Sequence, residues 1–203
     1  MTFQDNRLNR RQFLNQLGMV TAASFVAESA FASAKPWFEI SLAEFSLAGS
    51  LFSGKLKNMD FPAKAKNDFG INAVEYVSMF WADKAKDQAY LNELKQRTGD
   101  LGVRNVLIMV DNEGDLGASD ATKRLKAVEN HYKWIEAAKF LGCHSIRVNM
   151  TGDDTPEELM KAGVDGYGKL VEFGEKAGMG VIIENHINVS TNPDWLVSLL
   201  KQI

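Results

Sequence analysis

Two ionisable side chains follow an apolar strand near the end of the sequence. Residues 180–184 (G-V-I-I-E) are rich in β-branched side chains, which is typical of a strand, and Asn185 and His186 come directly after them. Alternation along a strand places Glu184 and His186 on one face and Asn185 on the other. A carboxylate and an imidazole on one face can hold a cation or move a proton, so this strand end predicts a site.

Earlier strands offer polar groups in equivalent positions. Glu75 lies inside the second predicted strand, Asp111 follows the third, and Arg147 and Asn149 share one face of the fourth. A single acid at a strand end is usually only a solvated terminus. Four successive strands, however, offer polar or ionisable groups at their carboxyl ends, and Glu75 and Arg147 are flanked by apolar residues inside their strands. An inward charge must be paired or metal-bound to be tolerated. The pattern predicts that these side chains converge.

The elements that position these residues alternate along the chain. Strand-like runs begin about every 35 residues, which is the length of a βαβ unit. Helical segments lie between them, and a glycine follows four of these segments, as it does where a left-handed residue closes a helix. The predicted strands are residues 37–45, 71–77, 103–110, 145–150 and 180–184, and the predicted helices are 61–69, 87–101, 119–141, 155–177 and one that begins near Pro193.

Repeated βα units require a parallel sheet covered by helices. Right-handed crossovers make such a sheet either a closed (β/α) barrel or an open doubly wound sheet. The sequence has no G-x-G-x-x-G after the first strand and no G-x-x-x-x-G-K-[ST] motif. Their absence removes the main support for a nucleotide-binding open sheet. In a barrel, the polar strand ends would lie at the carboxyl-terminal mouth, where barrel enzymes keep their sites.

Composition narrows the class of protein. The chain has 203 residues, of which 45% are hydrophobic and 24% charged, and this is ordinary for one globular domain. A net charge of -3, with no dense basic stripe, argues against a nucleic-acid partner. Cys143 is the only cysteine, so the sequence has neither an intrachain disulfide nor a cysteine-based metal cluster.

The first 35 residues have the layout of an export signal. A polar segment with Arg10 and Arg11 precedes a mildly apolar run, and small residues then offer A-x-A-like cleavage points ending at Ala32 or Ala34. The stretch N-R-R-Q-F-L (residues 9–14) resembles a twin-arginine signal, and an amphipathic helix with two chance arginines is the alternative. The apolar run is shorter than the roughly 20 residues that span a bilayer. We therefore expect a periplasmic or secreted mature chain, residues 36–203, without a stable membrane anchor.

Several segments of the mature chain together resemble the sugar phosphate isomerase/epimerase family. These are I-S-L-A-E-F-S-L (40–47), L-F-S-G-K-L (51–56), F-G-I-N-A-V-E-Y-V (69–77), A-A-K-F-L-G-C-H-S-I-R-V-N (137–149) and V-I-I-E-N-H (181–186). The resemblance implies the xylose-isomerase-like (β/α)8 TIM barrel. Such a barrel needs about 280 residues at this repeat length, so the five units predict a barrel interrupted after the fifth unit and a fragment of a longer protein. If the sequence were complete, strands one and five would be exposed edges.

The resemblance also implies a metal site. The family takes one ligand from each of its last four strands, a Glu, an Asp, a His and a Glu. Glu184 matches the first, as metal ligand and candidate base, and the other three have no counterpart here. The implied cofactor is Mn, Mg, Co or Zn. The implied reaction is isomerisation or epimerisation of a sugar, sugar phosphate or polyol by proton transfer through an enediolate, which the metal stabilises.

Four other residues are candidate substrate contacts within this resemblance: Glu75, Arg147, Asn149 and His186. Arg147 has an alternative role in an internal ion pair with Glu75, and His186 has one as a solvated loop residue or as a group that orients Glu184. Three other functions stay open. They are a dehydratase or lyase on the same barrel, a non-catalytic carbohydrate-binding protein or inactive fragment, and, least favoured by the acidic chain, DNA repair. The oligomeric state is not indicated.

Overall fold

The computed structural model describes residues 38–152 and 155–203. The predicted export signal, residues 1–35, lies outside this part of the chain, so it stays a prediction. None of the helices in the described part combines the length and the apolar character needed to cross a membrane.

Five parallel strands form one sheet in the order in which they occur in the sequence. A doubly wound sheet reverses its strand order at a switch point, whereas a barrel adds each strand next to the previous one. The order β1-β2-β3-β4-β5 is therefore that of barrel winding. The strands are β1 Leu42–Ala43, β2 Ala73–Val77, β3 Arg104–Val110, β4 Ser145–Asn149 and β5 Gly180–Glu184.

Helices connect the strands and begin and end where the local sequence signals predict. Asp87, Asp120 and Thr155 each cap a helix by accepting a hydrogen bond from a backbone N–H of its first turn. The glycines that follow four helices are all left-handed, with φ between 63° and 82°. The α-helices are α1 Ala48–Phe52, α2 Phe61–Phe69, α3 Gln88–Leu101, α4 Ala121–Leu141, α5 Pro156–Ala177 and α6 Pro193–Leu200.

The first strand is much shorter than the predicted residues 37–45. Only Leu42–Ala43 pairs with β2, and a 3-10 turn over Glu44–Leu47 follows immediately. Ile40, two residues before β1, is 59% exposed, so it is not packed in the core. The chain turns at Glu44 because its buried carboxylate accepts hydrogen bonds from groups outside the strand.

The two faces of the sheet differ in burial. Alternate residues of β2, β3 and β4 pack under the helices and are at most 3% exposed, together with helix residues such as Leu94, Trp134 and Leu170. The opposite face includes half-buried side chains such as Met109 and Arg147, and Ile182 on it is 43% exposed. The polar strand ends therefore lie on the more open face. The helix-covered strand residues are Val74, Tyr76, Ile108, Val110, Ile146 and Val148.

Helix α5 packs closely on the loop after β3 at Gly166. A Cβ at Gly166 would lie 1.9 Å from the carbonyl oxygen of Leu116, whereas one at Gly168 would meet only a methyl group of Ile203 at 4.0 Å. We expect Gly166→Ala to lower the free energy of unfolding by about 1–3 kcal/mol because backbone must move. Gly168→Ala, the matched control, should raise it by up to about 1 kcal/mol through helix propensity. Urea unfolding measures both, and equal effects would contradict this packing.

Candidate active site

The predicted site residues of β2, β4 and β5 lie on one face of the sheet. Arg147 pairs in register with Met109 and Ile182, and Asn149 pairs with Glu184. The other face is packed under helices, so alternation places these side chains on the open face. His186 follows two residues after Glu184, beyond the end of β5. The structure therefore places the polar ends of neighbouring strands side by side at their carboxyl ends.

A chain of polar contacts joins three of these strands. Asn149 Nδ2 donates to Asp111 Oδ1 at 2.9 Å, and Arg147 Nη1 donates to Asn149 Oδ1 at 2.9 Å. The same guanidinium forms an ion pair with Glu184. His186 Nδ1 lies 3.4 Å from Glu184 Oε2. Each side chain in this chain of contacts restrains the position of the next, from the end of β3 to the loop after β5.

Arg147 is the cation at the centre of this arrangement. Its side chain is 16% exposed, and that of Glu184 is 38% exposed. Burial lowers the pKa of Arg147, while the carboxylates of Asp111 and Glu75 act in the opposite direction. An arginine has so high a pKa that it stays charged at neutral pH. Arg147 therefore presents a fixed positive charge to the Glu184 carboxylate.

The ion pair that Arg147 forms among the described residues is with Glu184, and Glu75 acts on its charge from further away. Glu75 Oε1 instead accepts a hydrogen bond from Ser41 Oγ at 2.5 Å. Glu75 is in register with Leu107 on β3, so a whole strand separates it from Arg147 on β4, or roughly 10 Å at the usual strand spacing. Glu184 is on the adjacent strand and is within reach.

A pocket of about 560 Å³ opens at the carboxyl ends of the strands. This volume suits a small ligand. Of the predicted site residues, Arg147, Asn149 and His186 line it, and Glu184 contacts two of these three. Glu75 is not among the lining residues. The wall is apolar at Phe45, Val77, Met79 and Met109 and polar at Asp111, Asn112, Asp115 and Thr151.

Sequence reasoning missed Glu44, a buried acid at the end of β1. Its side chain is fully buried, Asn58 Nδ2 donates to Oε1 at 2.8 Å, and the Val77 N–H donates to Oε2 at 2.8 Å. Tyr90 extends the network by donating to Asn58 Oδ1 at 2.5 Å. Burial raises the pKa of Glu44 to about 7, and the two hydrogen bonds oppose this rise. An acid at the end of a predicted strand was the available signal.

Other lining residues were also missed. Phe45 follows β1, Asn112 and Asp115 follow β3, and Thr151 follows β4. All belong to the loops after strands, which in a barrel surround the mouth. Their position was readable from the strand boundaries, but nothing in their residue types separated them from ordinary loop residues.

The predicted metal site is not assembled by the described residues. Among residues 38–152 and 155–203, no three His, Cys, Asp or Glu side chains are grouped so that they could hold a metal ion. Glu184 is the predicted ligand, and Arg147 already engages its carboxylate. The residues that the structure describes therefore do not complete a divalent-cation site by themselves.

The sheet order and the position of the polar groups define an α/β protein of the TIM-barrel class. More particularly, the chain belongs to the xylose-isomerase-like TIM barrel family, whose sequence profile matches residues 63–203, more than half of the chain. The predicted family and fold class are thereby confirmed. No curated protein matches this chain.

Three solved structures show the range of proteins with the same fold. A zinc-bound IolI protein matches with a TM-score of 0.64 and 13% identity over 81% of this chain and 58% of its own. D-psicose 3-epimerase, solved with D-fructose, matches with a TM-score of 0.63 and 15% identity, over 81% of this chain and 60% of the epimerase. The probable 3-DHS dehydratase AsbF from Bacillus anthracis matches with a TM-score of 0.62 and 17% identity, over 81% of this chain and 59% of its own. The chain thus spans less than two thirds of the length of each, and identities this low show the fold alone.

Proposed function

We propose that this protein is an isomerase or epimerase of a sugar or polyol, and that the pocket at the carboxyl ends of the strands is its substrate site. One observation carries the proposal. It is the chain of contacts from Asp111 through Asn149 and Arg147 to Glu184, which holds a carboxylate beside a pocket of small-ligand size. Membership of the family and the epimerases among the similar structures support the same reading.

Glu184 is the proton carrier in this proposal. Its carboxylate removes the proton from a carbon next to the substrate carbonyl, and the electron pair left behind moves onto the carbonyl oxygen. Returning the proton to the former carbonyl carbon, while a proton moves from the adjacent hydroxyl to the former carbonyl oxygen, gives an isomer. An epimer requires a second acid, which delivers a proton to the opposite face of the carbon from which Glu184 took one. Arg147 orients the carboxylate through the ion pair between the two side chains.

The remaining predicted contacts hold the substrate. Asn149 and His186 line the pocket and carry groups that hydrogen-bond to hydroxyls. Phe45, Met79 and Met109 offer an apolar wall for the carbon face of a sugar. Arg147, Asn149 and His186 line the pocket and Glu75 does not, so Glu75 is the predicted substrate contact that the pocket supports least.

The proposal includes a divalent cation, Mn, Mg, Co or Zn, with Glu184 as one ligand. A bound cation supplies stabilisation of negative charge on substrate oxygens. The zinc in the similar IolI structure and the family resemblance support it. The described residues hold no group of three or more His, Cys, Asp or Glu side chains that could bind a metal ion, so they do not by themselves complete the ligand set.

A dehydratase is the second candidate function. It is favoured by the similarity to the probable dehydratase AsbF, whose TM-score of 0.62 is close to that of the epimerases. Dehydration begins with the same proton abstraction next to a carbonyl and continues with loss of a hydroxide from the next carbon. The two functions therefore share the role of Glu184 as base and differ in the second step, because only the dehydratase reaction loses a hydroxide.

Incubating the purified chain with ketoses, aldoses and polyols in D2O tests the proposal, with each of the four cations in turn. We expect solvent deuterium at the carbon next to the carbonyl and a new isomer or epimer, read by NMR and mass spectrometry. A product lighter by one water would identify the dehydratase instead. Binding without any exchange would reject both enzymes and leave a carbohydrate-binding protein.

We also propose export of the protein by the twin-arginine-type signal in residues 1–35. The support is the N-R-R-Q-F-L stretch and the small residues that follow the apolar run. Changing Arg10 and Arg11 to lysine should keep the chain in the cytoplasm, as cell fractionation would show. A variant that still reached the periplasm would reject this route.

A further inference from the structure

We infer that the pocket takes an uncharged, hydroxyl-rich ligand and discriminates against anionic ones such as sugar phosphates. This inference rests on the proposed function and narrows its substrate class. It comes from the balance of charges on the pocket wall and from what the single arginine there already binds.

Carboxylates outnumber permanent cations around the pocket. Asp111 and Asp115 line it, and Glu184 contacts two lining residues. Among the lining residues that the structure describes, Arg147 is the one permanent cation. A phosphate group carries up to two negative charges, so it would meet net repulsion from these carboxylates.

Arg147 is already committed to groups of the protein. Its guanidinium pairs with Glu184 and donates to Asn149 Oδ1 at 2.9 Å. A phosphate that bound the guanidinium would have to displace the Glu184 carboxylate from this ion pair. The arginine that would normally recognise a phosphate is therefore not free for it.

Helix N-termini are the other usual anion sites, and those of α4 and α5, at the carboxyl ends of the strands, already carry acidic side chains. The helices α4 and α5 begin after the loops that follow β3 and β4. Asp120 already accepts from the N–H groups of Thr122 and Lys123 at the start of α4. The first turn of α5 contains Glu157 and Glu158. Acids placed there satisfy the helix dipole themselves and repel a second anion.

A neutral polyol matches the same wall. Carboxylate and amide oxygens of Asp111, Asp115 and Asn112 can accept hydrogen bonds from hydroxyls, and Phe45 and Met79 can contact carbon–hydrogen surfaces. Specificity built this way uses repulsion of the wrong ligand as well as attraction of the right one. Ketose phosphates would differ from their parent ketoses only in the repelled group.

Binding of D-fructose, D-fructose 6-phosphate and inorganic phosphate to the full chain tests the inference, by calorimetry at low and at high salt. At low ionic strength we expect D-fructose to bind more tightly than its phosphate by a factor on the order of ten. Salt screens interactions between exposed charges, so this ratio should shrink as salt is added. Inorganic phosphate should show no saturable binding.

Two variants separate charge from shape. Asp115→Asn removes a lining carboxylate and should reduce the preference for D-fructose several-fold, whereas Asp100→Asn, an equal charge change on an exposed part of α3, should leave it unchanged. Tighter binding of the phosphate than of D-fructose would overturn the inference and leave the proposed function standing. A preference insensitive to both salt and Asp115→Asn would also overturn it, in favour of steric selection. Failure of all sugars to bind or exchange would reject the proposed function with it.

Discussion

Replacing Glu184 by glutamine is expected to lower the rate of substrate proton exchange by a factor of about 10²–10⁴. The amide keeps the size of the side chain but cannot take a proton from carbon. It also leaves the guanidinium of Arg147 without the anion that it contacts. Deuterium exchange into the substrate, followed by NMR as a function of substrate concentration, measures the effect. The loss should appear in kcat more than in KM, because Glu184 acts on the transition state.

The matched control is Glu172→Gln, which removes the same charge from an exposed ion pair with Lys176 on α5. Its exchange rate should equal that of the wild type, since surface ion pairs contribute little. Urea unfolding of both variants reports whether the fold is kept, because an unfolded Glu184→Gln variant would lose activity for another reason. A folded Glu184→Gln variant with wild-type exchange would reject Glu184 as the proton carrier.

The regular elements were predictable because their signals are local. Capping side chains at Asp87, Asp120 and Thr155 mark helix starts within one or two residues of the predicted ones, and strand β5 coincides with the prediction. A cap or a left-handed glycine acts within one turn of the chain. Such elements can therefore be located without knowledge of the tertiary structure.

Strand β1 was mispredicted because its end is decided by distant groups. Residues around it have a strand-like composition, yet the chain turns at Glu44, whose partners Asn58 and Val77 lie 14 and 33 residues further along. Hydrogen bonds across such separations leave no periodic pattern in the sequence. Tertiary contacts override propensity in this case.

The site was predictable by face but not by contact. Alternation placed Arg147, Asn149 and Glu184 on the same side of the sheet, and the structure agrees. It did not decide whether Arg147 pairs with Glu75 or with Glu184, because that depends on register and on how many strands separate them. The sequence alone does not give the register of the strands, so it could not decide between Glu75 and Glu184 as the partner of Arg147.

The free energy of unfolding is expected to contain a contribution from Glu44 that falls as the pH rises from about 4.5 to about 7. Burial raises the pKa of Glu44 from 4.5 to about 7. Between these values the folded state holds a proton that the unfolded state releases, so raising the pH favours unfolding. The shift corresponds to roughly 3 kcal/mol, fully present as stability below pH 4.5 and lost near pH 7.

Urea unfolding of the wild type and of Glu44→Gln across pH 4–8 measures this contribution as a difference in slope. The glutamine amide must face either Asn58 Nδ2 or the Val77 N–H with a donor, so it loses a hydrogen bond at every pH and lowers stability by a constant amount. Only the slope reports ionisation. Burial lowers the pKa of His131, which acts in the opposite direction, but His131 is present in both proteins and cancels.

Glu136→Gln, on an exposed position of α4, is the control and should keep the wild-type slope. If Glu44→Gln and the wild type changed in parallel between pH 4.5 and 7, Glu44 would be ionised in the folded protein throughout. The network of Asn58, Val77 and Tyr90 would then hold a charged carboxylate, and the turn that ends β1 would be stabilised by an anion. A slope confined to the wild type and the control shows instead that the turn is built around a carboxyl group that keeps its proton until near neutral pH.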